Sequence, residues 1–301
     1  MSTASSVGKR RLVFHVGMPK CGSTYLQRLI FPKLPGLRYI EHGGQMGSGT
    51  VAERLERLDG FLAETAQETV LFSAESLCGH PANKASYGDF LELLPHIPAA
   101  HEVSVVVVVR RQDSFIDSMY RHHVRKGGRL DFEEFFALDR NEQIVAGKVS
   151  DGTLHQSYCD YSRFLDYARR RPGLSLTFIP FELMQSDLKA FVRRVADAAG
   201  VEGDFDIPDV FVNRGPSGPE FSVQKKLNKL ARSSGASAAF ERKVLVGALR
   251  AAEGLARIHY VPIDVLSDDD RRKILDHYRG TNRAVADASP IGRELSTLGY
   301  C

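Results

Sequence analysis

A turn near the beginning of the chain combines glycines with a lysine, and this combination can hold an anion. The apolar run Arg11–Gly17 predicts a buried strand, and residues 17–24 form the turn that follows it. From Ser23 onward the apolar residues are spaced as in a helix. A strand, a glycine-bearing turn and a helix present backbone N–H groups to an anion, and Lys20 adds a positive charge. The stretch therefore predicts an anion-binding turn.

This turn differs from the phosphate loop of nucleoside-triphosphate enzymes. Gly17 and Gly22 have the separation of the GxxxxGK[ST] pattern, but Ser23 stands where that pattern has its lysine. The lysine of this chain is Lys20, three residues earlier, so it approaches a ligand from another direction. The alternative is a turn that only joins a strand to a helix.

The stretch MPKCGST, residues 18–24, resembles the PKSGTT loop of sulfotransferases that use 3′-phosphoadenosine 5′-phosphosulfate (PAPS). The resemblance implies that the turn binds the 5′-phosphosulfate. Cys21 replaces the usual serine and Ser23 the usual threonine; both are small, so the backbone can still approach the anion closely. The cofactor-binding residues implied here are Pro19, Lys20, Cys21, Gly22, Ser23, Thr24 and Tyr25.

A second motif follows the valine-rich strand predicted at residues 103–109. Arg110 ends that strand, and Ser118 lies eight positions later on the next predicted helix. The spacing is similar to the family pattern R-x-P-x-x-R-x-x-S-x-Y, although the proline and the second arginine are absent. The resemblance implies that Arg110 and Ser118 bind the 3′-phosphate, and it suggests Arg214 as a further phosphate ligand. The alternative for Arg110 is a surface ion pair.

Glu75 is the best-placed acid of the chain. It comes just after a strand predicted at residues 69–73, and ligands bind at the carboxyl edge of parallel sheets. Sulfotransferases of the glutamate-base type carry a similar strand that ends in SSE, which implies that Glu75 is the general base. Two alternatives stay open: a helix N-terminal carboxylate, or a histidine base at His42 or His80.

Two further stretches have an open role. Residues 121–129 form a basic patch that either faces solvent or receives an anionic acceptor. The glycine-rich residues 43–49 form either a surface linker or a loop on the substrate side.

Composition narrows the class of protein. The chain has 301 residues, of which 43% are hydrophobic and 26% charged, as in ordinary globular proteins. A net charge of +3 is too small to argue for nucleic-acid binding, and no run reaches the roughly 18 apolar residues of a membrane span. The four widely spaced cysteines form no CxxC pair, so neither zinc nor a disulfide framework is expected, and a cytoplasmic location is the simplest.

Strands and helices alternate along the chain, which predicts a three-layer α/β/α fold with a mostly parallel sheet, similar to P-loop NTPases. We expect a short tail at residues 1–10 and a single domain over residues 11–301. The predicted strands are 11–17, 37–40, 69–73, 103–109 and 174–179. The predicted helices begin at Ser23 and include 51–67, 86–94, 113–126, 131–138, 155–171, 181–199, 220–232, 240–258 and 268–288.

The resemblance implies transfer of a sulfuryl group from PAPS to a hydroxyl or amine of a carbohydrate, a lipid or a small molecule. PAP, the 3′,5′-bisphosphate, would be the product, and no metal is expected. Glu75 and Lys20 are the expected catalytic residues. Two other classes stay open, a nucleotide kinase or hydrolase and a non-catalytic nucleotide-binding protein. The acceptor and the oligomeric state are not predicted.

Overall fold

The computed structural model describes residues 9–41, 43, 46, 48–79, 90–138, 153–209, 218–234 and 264–301, without the side chains of residues 76, 219 and 230–234. Arg214, His42, His80 and the helix predicted at residues 240–258 lie outside the described residues, so those predictions are not assessed.

The centre of the fold is a five-stranded sheet in the order β2-β3-β1-β4-β5, and every neighbouring pair is parallel. The strands are β1 (Arg11–Gly17), β2 (Leu37–Ile40), β3 (Thr69–Ala74), β4 (Glu102–Val109) and β5 (Ser175–Pro180). Helices flank this sheet, so the predicted α/β fold with a parallel sheet is confirmed.

The strand register brings the ends of the central strands to one level. Val16 lies opposite Ala74, Gly17 opposite Val108, and Val109 opposite Pro180. The chain passes from β1 to β2 and β3 on one side, and then crosses to β4 on the other side. β1 therefore lies where the strand order reverses, and open α/β sheets bind ligands at the carboxyl ends of the strands there.

The first helix changes its hydrogen-bonding pattern along its length. It begins as the α-helical turn α1 (Ser23–Tyr25) and continues as a π-helical segment, Leu26–Ile30, and a 3-10 turn, Phe31–Lys33. The other helices are α2 (Val51–Ala63), α3 (Gln112–Arg125), α4 (Phe132–Phe135), α5 (Leu165–Arg170), α6 (Phe181–Ser186), α7 (Leu188–Ala198), α8 (Gly218–Ser234), α9 (Asp268–Asp287) and α10 (Gly292–Thr297).

Two long predicted helices are wrong because an aspartate interrupts each of them. In residues 155–171, two 3-10 turns precede α5, and the carboxylate of Asp160 accepts from the backbone N–H and the hydroxyl of Ser162. In residues 181–199, the carboxylate of Asp187 accepts from the N–H of Ala190 and caps α7. Such local side-chain bonds compete with continued helix formation.

The core is aromatic and β-branched around the two central strands. The ring of Phe14 on β1 lies 5.1 Å from the ring of Phe72 on β3 and 5.0 Å from that of Phe90. The valines at positions 105–109 of β4 are all buried. Continuous burial on both faces is what an almost uninterrupted apolar run predicts for a parallel strand.

No helix in the described ranges is long and apolar enough to cross a membrane. The four cysteines are free thiols, and Cys21, Cys78 and Cys159 are buried.

Candidate active site

The turn after β1 has an unusual backbone. Gly22 has φ of 80°, and Lys20 has φ of 63°, which makes Lys20 the one non-glycine residue with positive φ in the described ranges. The N–H groups of Tyr25 and Leu26 both donate to the carbonyl of Gly22, at 3.0 and 3.1 Å. The first N–H groups of a helix have no partner within the helix, so the start of α1 can present them to an anion.

The two glycines of the turn allow close packing. A Cβ atom on Gly17 would lie 2.6 Å from Ser23 Oγ and 2.9 Å from His15 Cε1. A Cβ atom on Gly22 would lie 2.7 Å from Met184 Sδ on α6, at a left-handed backbone conformation that disfavours side chains. The left-handed backbone therefore favours glycine at Gly22, and a side chain at Gly17 would have to displace Ser23 or His15, independently of any ligand.

Three side chains of the turn point into the protein. Cys21 is buried, and burial raises the pKa of its thiol. The hydroxyl of Ser23 donates to the carbonyl of Met18 at 3.1 Å, and that of Tyr25 donates to the carbonyl of Pro208 at 2.6 Å. A contribution to ligand binding from Cys21 and Ser23 therefore comes from the backbone, whereas Tyr25 already uses both its hydroxyl and its N–H group within the protein. The neighbouring Pro19, Lys20 and Thr24 are only partly buried.

Arg110 connects the end of β4 to this turn. Its Nη1 donates to the carbonyl of Lys20 at 3.0 Å, and its Nε donates to Ser114 Oγ at 2.9 Å. The guanidinium lies over the ring of Phe181, 4.8 Å from the centroid. Within the described residues, two of the five N–H groups of the guanidinium are used in this way, which leaves three for a ligand. Ser118 lies one helical turn beyond Ser114 on α3 and is partly buried.

Ser114 is a site residue that the sequence reasoning missed. It lies four positions after Arg110, a spacing that places the two on one side of a helix start, and this spacing was the available signal.

Glu75 and Lys20 shift each other's pKa at the carboxyl edge of the sheet. Glu75 is accessible to solvent, yet desolvation by its surroundings raises its pKa, and the charge of Lys20 opposes this rise. Desolvation also lowers the pKa of Lys20; the charges of Arg125, Lys126 and Arg110 lower it further, whereas that of Glu75 raises it. An acid with a raised pKa that interacts with a base of lowered pKa is typical of functional sites.

The C-terminal end of α3 brings more positive charge to Lys20. We call His122, Arg125 and Lys126 the α3 cationic cluster. Partial burial, followed by the charges of Lys20, Arg125 and Lys126, lowers the pKa of His122 to about 4. Arg121 does not join this group because it pairs with Asp117 at 2.5 Å. The basic patch whose role was open therefore contains a paired residue, Arg121, and a cluster whose charges act on Lys20.

A buried hydrogen-bond network lies behind Glu75. His15 Nδ1 is 2.7 Å from Ser73 Oγ, and Gln27 Nε2 donates to the same oxygen at 3.1 Å. Burial lowers the pKa of His15 to about 3, so its imidazole is neutral and enclosed. The network joins β1 and the first helix to β3 at Ser73, two residues before Glu75. No sequence pattern indicated this network.

The glycine-rich residues 43–49 are described only in part, and Gly43 packs against the end of β3. A Cβ atom on Gly43 would lie 2.9 Å from the Cβ of Ala74, the neighbour of Glu75. Met46 N–H donates to the carbonyl of Gly43 at 3.0 Å, and the Met46 side chain is buried. This part of the loop therefore lies beside the candidate base.

The beginning of α3 is held by residues from distant parts of the chain. Gln112 and Asn282 form a reciprocal amide pair, with N···O distances of 2.7 and 3.0 Å, and both side chains are buried. The carboxylate of Glu182 accepts from the N–H of Arg111 at 2.9 Å and from the hydroxyl of Tyr300 at 2.7 Å. These bonds hold the two residues that directly follow Arg110.

A metal site is not evident in the part of the chain that the structure describes, which contains no suitable cluster of three or more His, Cys, Asp or Glu side chains.

No protein-family model and no curated protein matches the chain. Two solved structures are similar to it. A sulfotransferase from Alicyclobacillus acidocaldarius is 17% identical with a TM-score of 0.47, and the match covers 77% of this chain and 99% of that one. A mouse sulfotransferase complexed with PAP is 14% identical with a TM-score of 0.41, and the match covers 95% of this chain and 88% of that one. Both similarities are low, so we base the functional proposal on the residues of this chain.

Proposed function

We propose that this chain is a sulfotransferase, which moves a sulfuryl group from PAPS to a hydroxyl or amine of an acceptor. The observation that carries the proposal is the convergence of three groups at one edge of the sheet. The Lys20 turn, Glu75 and Arg110 follow β1, β3 and β4, and these strands end at the same level. They supply a proton acceptor and two cations beside an anion-binding turn, and this set suits transfer of an anionic group.

The residues present fit a donor with two anionic ends. The start of α1 and Lys20 suit a phosphosulfate because they offer a basic side chain and the first N–H groups of a helix, which have no partner within that helix. Arg110 retains three N–H groups that have no partner among the described residues, and Ser118 lies on the same side of α3 as Ser114. Arg110 and Ser118 are therefore proposed to hold the 3′-phosphate, with Arg214 as a further proposed ligand.

PAPS, when bound, supplies an activated sulfuryl group. With the donor bound, Glu75 would take the proton of the acceptor hydroxyl or amine. Lys20 would stabilise the charge that develops on the leaving phosphate. The acceptor would gain the sulfuryl group, the carboxylate would gain the proton, and PAP would leave with the electron pair of the broken S–O bond.

The electrostatics of the two catalytic groups favour this assignment. The raised pKa of Glu75 makes it a stronger base than an ordinary carboxylate, and desolvation lowers the pKa of Lys20, which makes it a stronger proton donor than an ordinary lysine. Transfer is most efficient when the pKa of the base lies near the working pH.

The test combines donor binding with turnover. Calorimetry with PAP measures binding, and mass spectrometry of cell extract incubated with labelled PAPS measures sulfated products. We expect Glu75→Gln to bind PAP normally and to lose turnover by roughly 10²–10⁴-fold. The matched control is Glu64→Gln, which changes an exposed glutamate at the end of α2 and should behave as the wild type.

Other outcomes would reassign the function. Failure of the wild type to bind PAP would refute the sulfotransferase. Magnesium-dependent turnover of a nucleoside triphosphate would favour a kinase or hydrolase, and PAP binding without any sulfated product would favour a non-catalytic protein. Normal turnover by Glu75→Gln would remove Glu75 from the mechanism, and His42 and His80 would be tested next.

A further inference from the structure

The 3-10 turn Glu75–Cys78 carries the proposed base, and side chains from a distant segment of the chain hold this turn. We call residues 158–167 the tyrosine segment. Two of its side chains donate to carbonyl groups of the turn: the hydroxyl of Tyr167 to Leu77 at 3.2 Å, and Nη1 of Arg163 to Cys78 at 2.8 Å. The backbone that carries the base is therefore attached to this segment.

The thiol of Cys78 joins the carbonyl of Glu75 to the hydroxyl of Tyr158. Its Sγ is 2.9 Å from the carbonyl oxygen of Glu75 and 2.9 Å from Tyr158 Oη. A carbonyl can only accept, so for both bonds to form the thiol donates to Glu75 and the tyrosine hydroxyl donates to the sulfur. Burial raises the pKa of Cys78 to about 11, so the thiol keeps the proton that it donates. The same sulfur lies 3.7 Å from the carbonyl of Gly17, so it contacts both turns of the site.

The tyrosine segment also holds the residue that is proposed for the 3′-phosphate. The hydroxyl of Tyr161 donates to the carbonyl of Arg110 at 2.5 Å, and Gln112 Nε2 donates to the carbonyl of Cys159 at 3.2 Å. The side chains of Tyr161 and Gln112 are both buried. The segment therefore contacts the end of β4 and the start of α3, in addition to the turn of Glu75.

These contacts lie where the sheet no longer fixes the backbone. Glu75 and Arg110 follow β3 and β4, which are not neighbours, because β1 lies between them. Hydrogen bonds between strands fix the strand ends but not the residues beyond them. A misplacement of about 1 Å between reacting groups can lower a rate by about 10²-fold. One segment that is bonded to both sides can keep the two groups at a constant separation.

We propose that Tyr158 and Tyr161 are positioning residues, which hold Glu75 and Arg110 at the separation that transfer requires. Tyr158 acts on Glu75 through the thiol of Cys78, and Tyr161 acts on Arg110 through its carbonyl group. Both hydroxyls are used inside the protein, so neither tyrosine binds the substrates itself. This inference rests on the proposed sulfotransferase function, which gives Glu75 and Arg110 their roles.

The variants on the Glu75 side are Tyr158→Phe and Cys78→Ala, with Cys78→Ser as the conservative replacement. NMR titration of isotope-labelled glutamate carboxyl groups measures the pKa of Glu75, and Glu75→Gln identifies its signal. In Tyr158→Phe and Cys78→Ala the turn loses a bond and admits more water, so the pKa of Glu75 should fall toward its ordinary value. The transfer rate with labelled PAPS in cell extract should fall about tenfold or more, with PAP affinity within about twofold. Cys78→Ser should restore both, because a hydroxyl donates to the same carbonyl.

The variant on the Arg110 side is Tyr161→Phe, which removes the hydroxyl and keeps the ring. Calorimetry should show a loss of about fivefold in affinity for PAP, the scale of one hydrogen bond. Adenosine 5′-phosphate, which has no 3′-phosphate, should lose about twofold or less. The pKa of Glu75 should stay at its wild-type value, because the bonds of its turn are intact.

The matched control is Tyr120→Phe, which removes the hydroxyl of another buried tyrosine. That hydroxyl donates to the carbonyl of Leu130 at 3.2 Å, beyond the far end of α3. The control should lower the midpoint of thermal unfolding as the other two tyrosine variants do, but keep wild-type nucleotide affinities and the wild-type pKa of Glu75. If Cys78→Ala does not fold, Tyr158→Phe decides the Glu75 side, because it keeps the volume of the ring.

Each outcome supports or overturns the inference. A wild type that does not bind PAP, or that binds it without forming any sulfated product, refutes the proposed function and this inference with it. If the wild type binds PAP and forms product, variants of Tyr158 and Tyr161 that behave like Tyr120→Phe overturn the inference alone. A change on only one side also overturns it, because the segment would then not hold the two groups relative to each other.

Discussion

Replacing Arg110 by alanine removes two separable contributions to nucleotide binding. One is the hydrogen bond of 3.0 Å to the carbonyl of Lys20, which holds the anion-binding turn in place. The other is the set of three remaining N–H groups that we propose for the 3′-phosphate. Loss of the first contribution should weaken the binding of any nucleotide that uses the turn. Loss of the second should weaken the binding only of a nucleotide with a 3′-phosphate.

The magnitude follows from the types of hydrogen bond. A hydrogen bond to a charged group contributes about 1.5–3 kcal/mol, and the Arg110–Lys20 bond is only partly buried, so we take the lower end. Adenosine 5′-phosphate should therefore lose up to about tenfold in affinity. PAP should lose this and, in addition, about 10- to 150-fold from the missing contact to the 3′-phosphate.

Calorimetry with both nucleotides at one ionic strength measures the two losses. Ser114→Ala is the matched control, because it removes the 2.9 Å partner of Arg110 Nε but leaves the guanidinium and its charge. This substitution should lower the affinity for both nucleotides by the same factor, which should be less than about fivefold. If Arg110→Ala weakened adenosine 5′-phosphate and PAP by the same factor, Arg110 would only anchor the turn, and its assignment to the 3′-phosphate would be wrong.

Three further predictions concern catalysis and stability. Lys20→Ala should reduce kcat more than PAP affinity, because the charge that Lys20 stabilises develops only during transfer; steady-state kinetics showing normal kcat with weaker binding would contradict this. In the pH profile of kcat/KM, the acidic limb should lie at higher pH than for an ordinary glutamate, because the pKa of Glu75 is raised. The basic limb should lie at lower pH than for an ordinary lysine, because the pKa of Lys20 is lowered. Limbs at the ordinary values would refute the pairing. Asp113→Asn should destabilise the fold by about 3 kcal/mol in urea unfolding, because Asp113 is buried between Arg111 at 2.8 Å and Arg271 at 3.0 Å. Desolvation opposes ionisation of Asp113, but these two arginines hold its pKa below the usual value, so its contribution should be lost only as pH falls below about 4; unchanged acid unfolding in Asp113→Asn would contradict this.

The sheet could be predicted from the sequence because each strand is a local signal. The run of valines in β4 is buried on both faces, and the apolar run of β1 behaves in the same way. Parallel pairing then brings the strand ends to one edge, so the meeting of Lys20, Glu75 and Arg110 was also predictable. Their roles in binding and catalysis stay predictions.

The helix boundaries and the side-chain directions were less predictable. Asp160 and Asp187 each stop a helix through a bond to the backbone, and periodicity cannot distinguish such an aspartate from an exposed one. The inward direction of Cys21 and Tyr25 depends on tertiary neighbours, as does the hydrogen bond from Arg110 to the carbonyl of Lys20. These features join segments that lie far apart in the chain, so a local pattern does not contain them.

The amide pair between Gln112 and Asn282 has a consequence for how this chain can evolve. The two residues are 170 positions apart, and each amide gives and receives a hydrogen bond with the other in a buried setting. A change at either position alone leaves a buried donor or acceptor without its partner, which costs about 1–3 kcal/mol. We therefore expect the two positions to change together in related chains, so that sequence drift in α9 is constrained by the residue two places after Arg110.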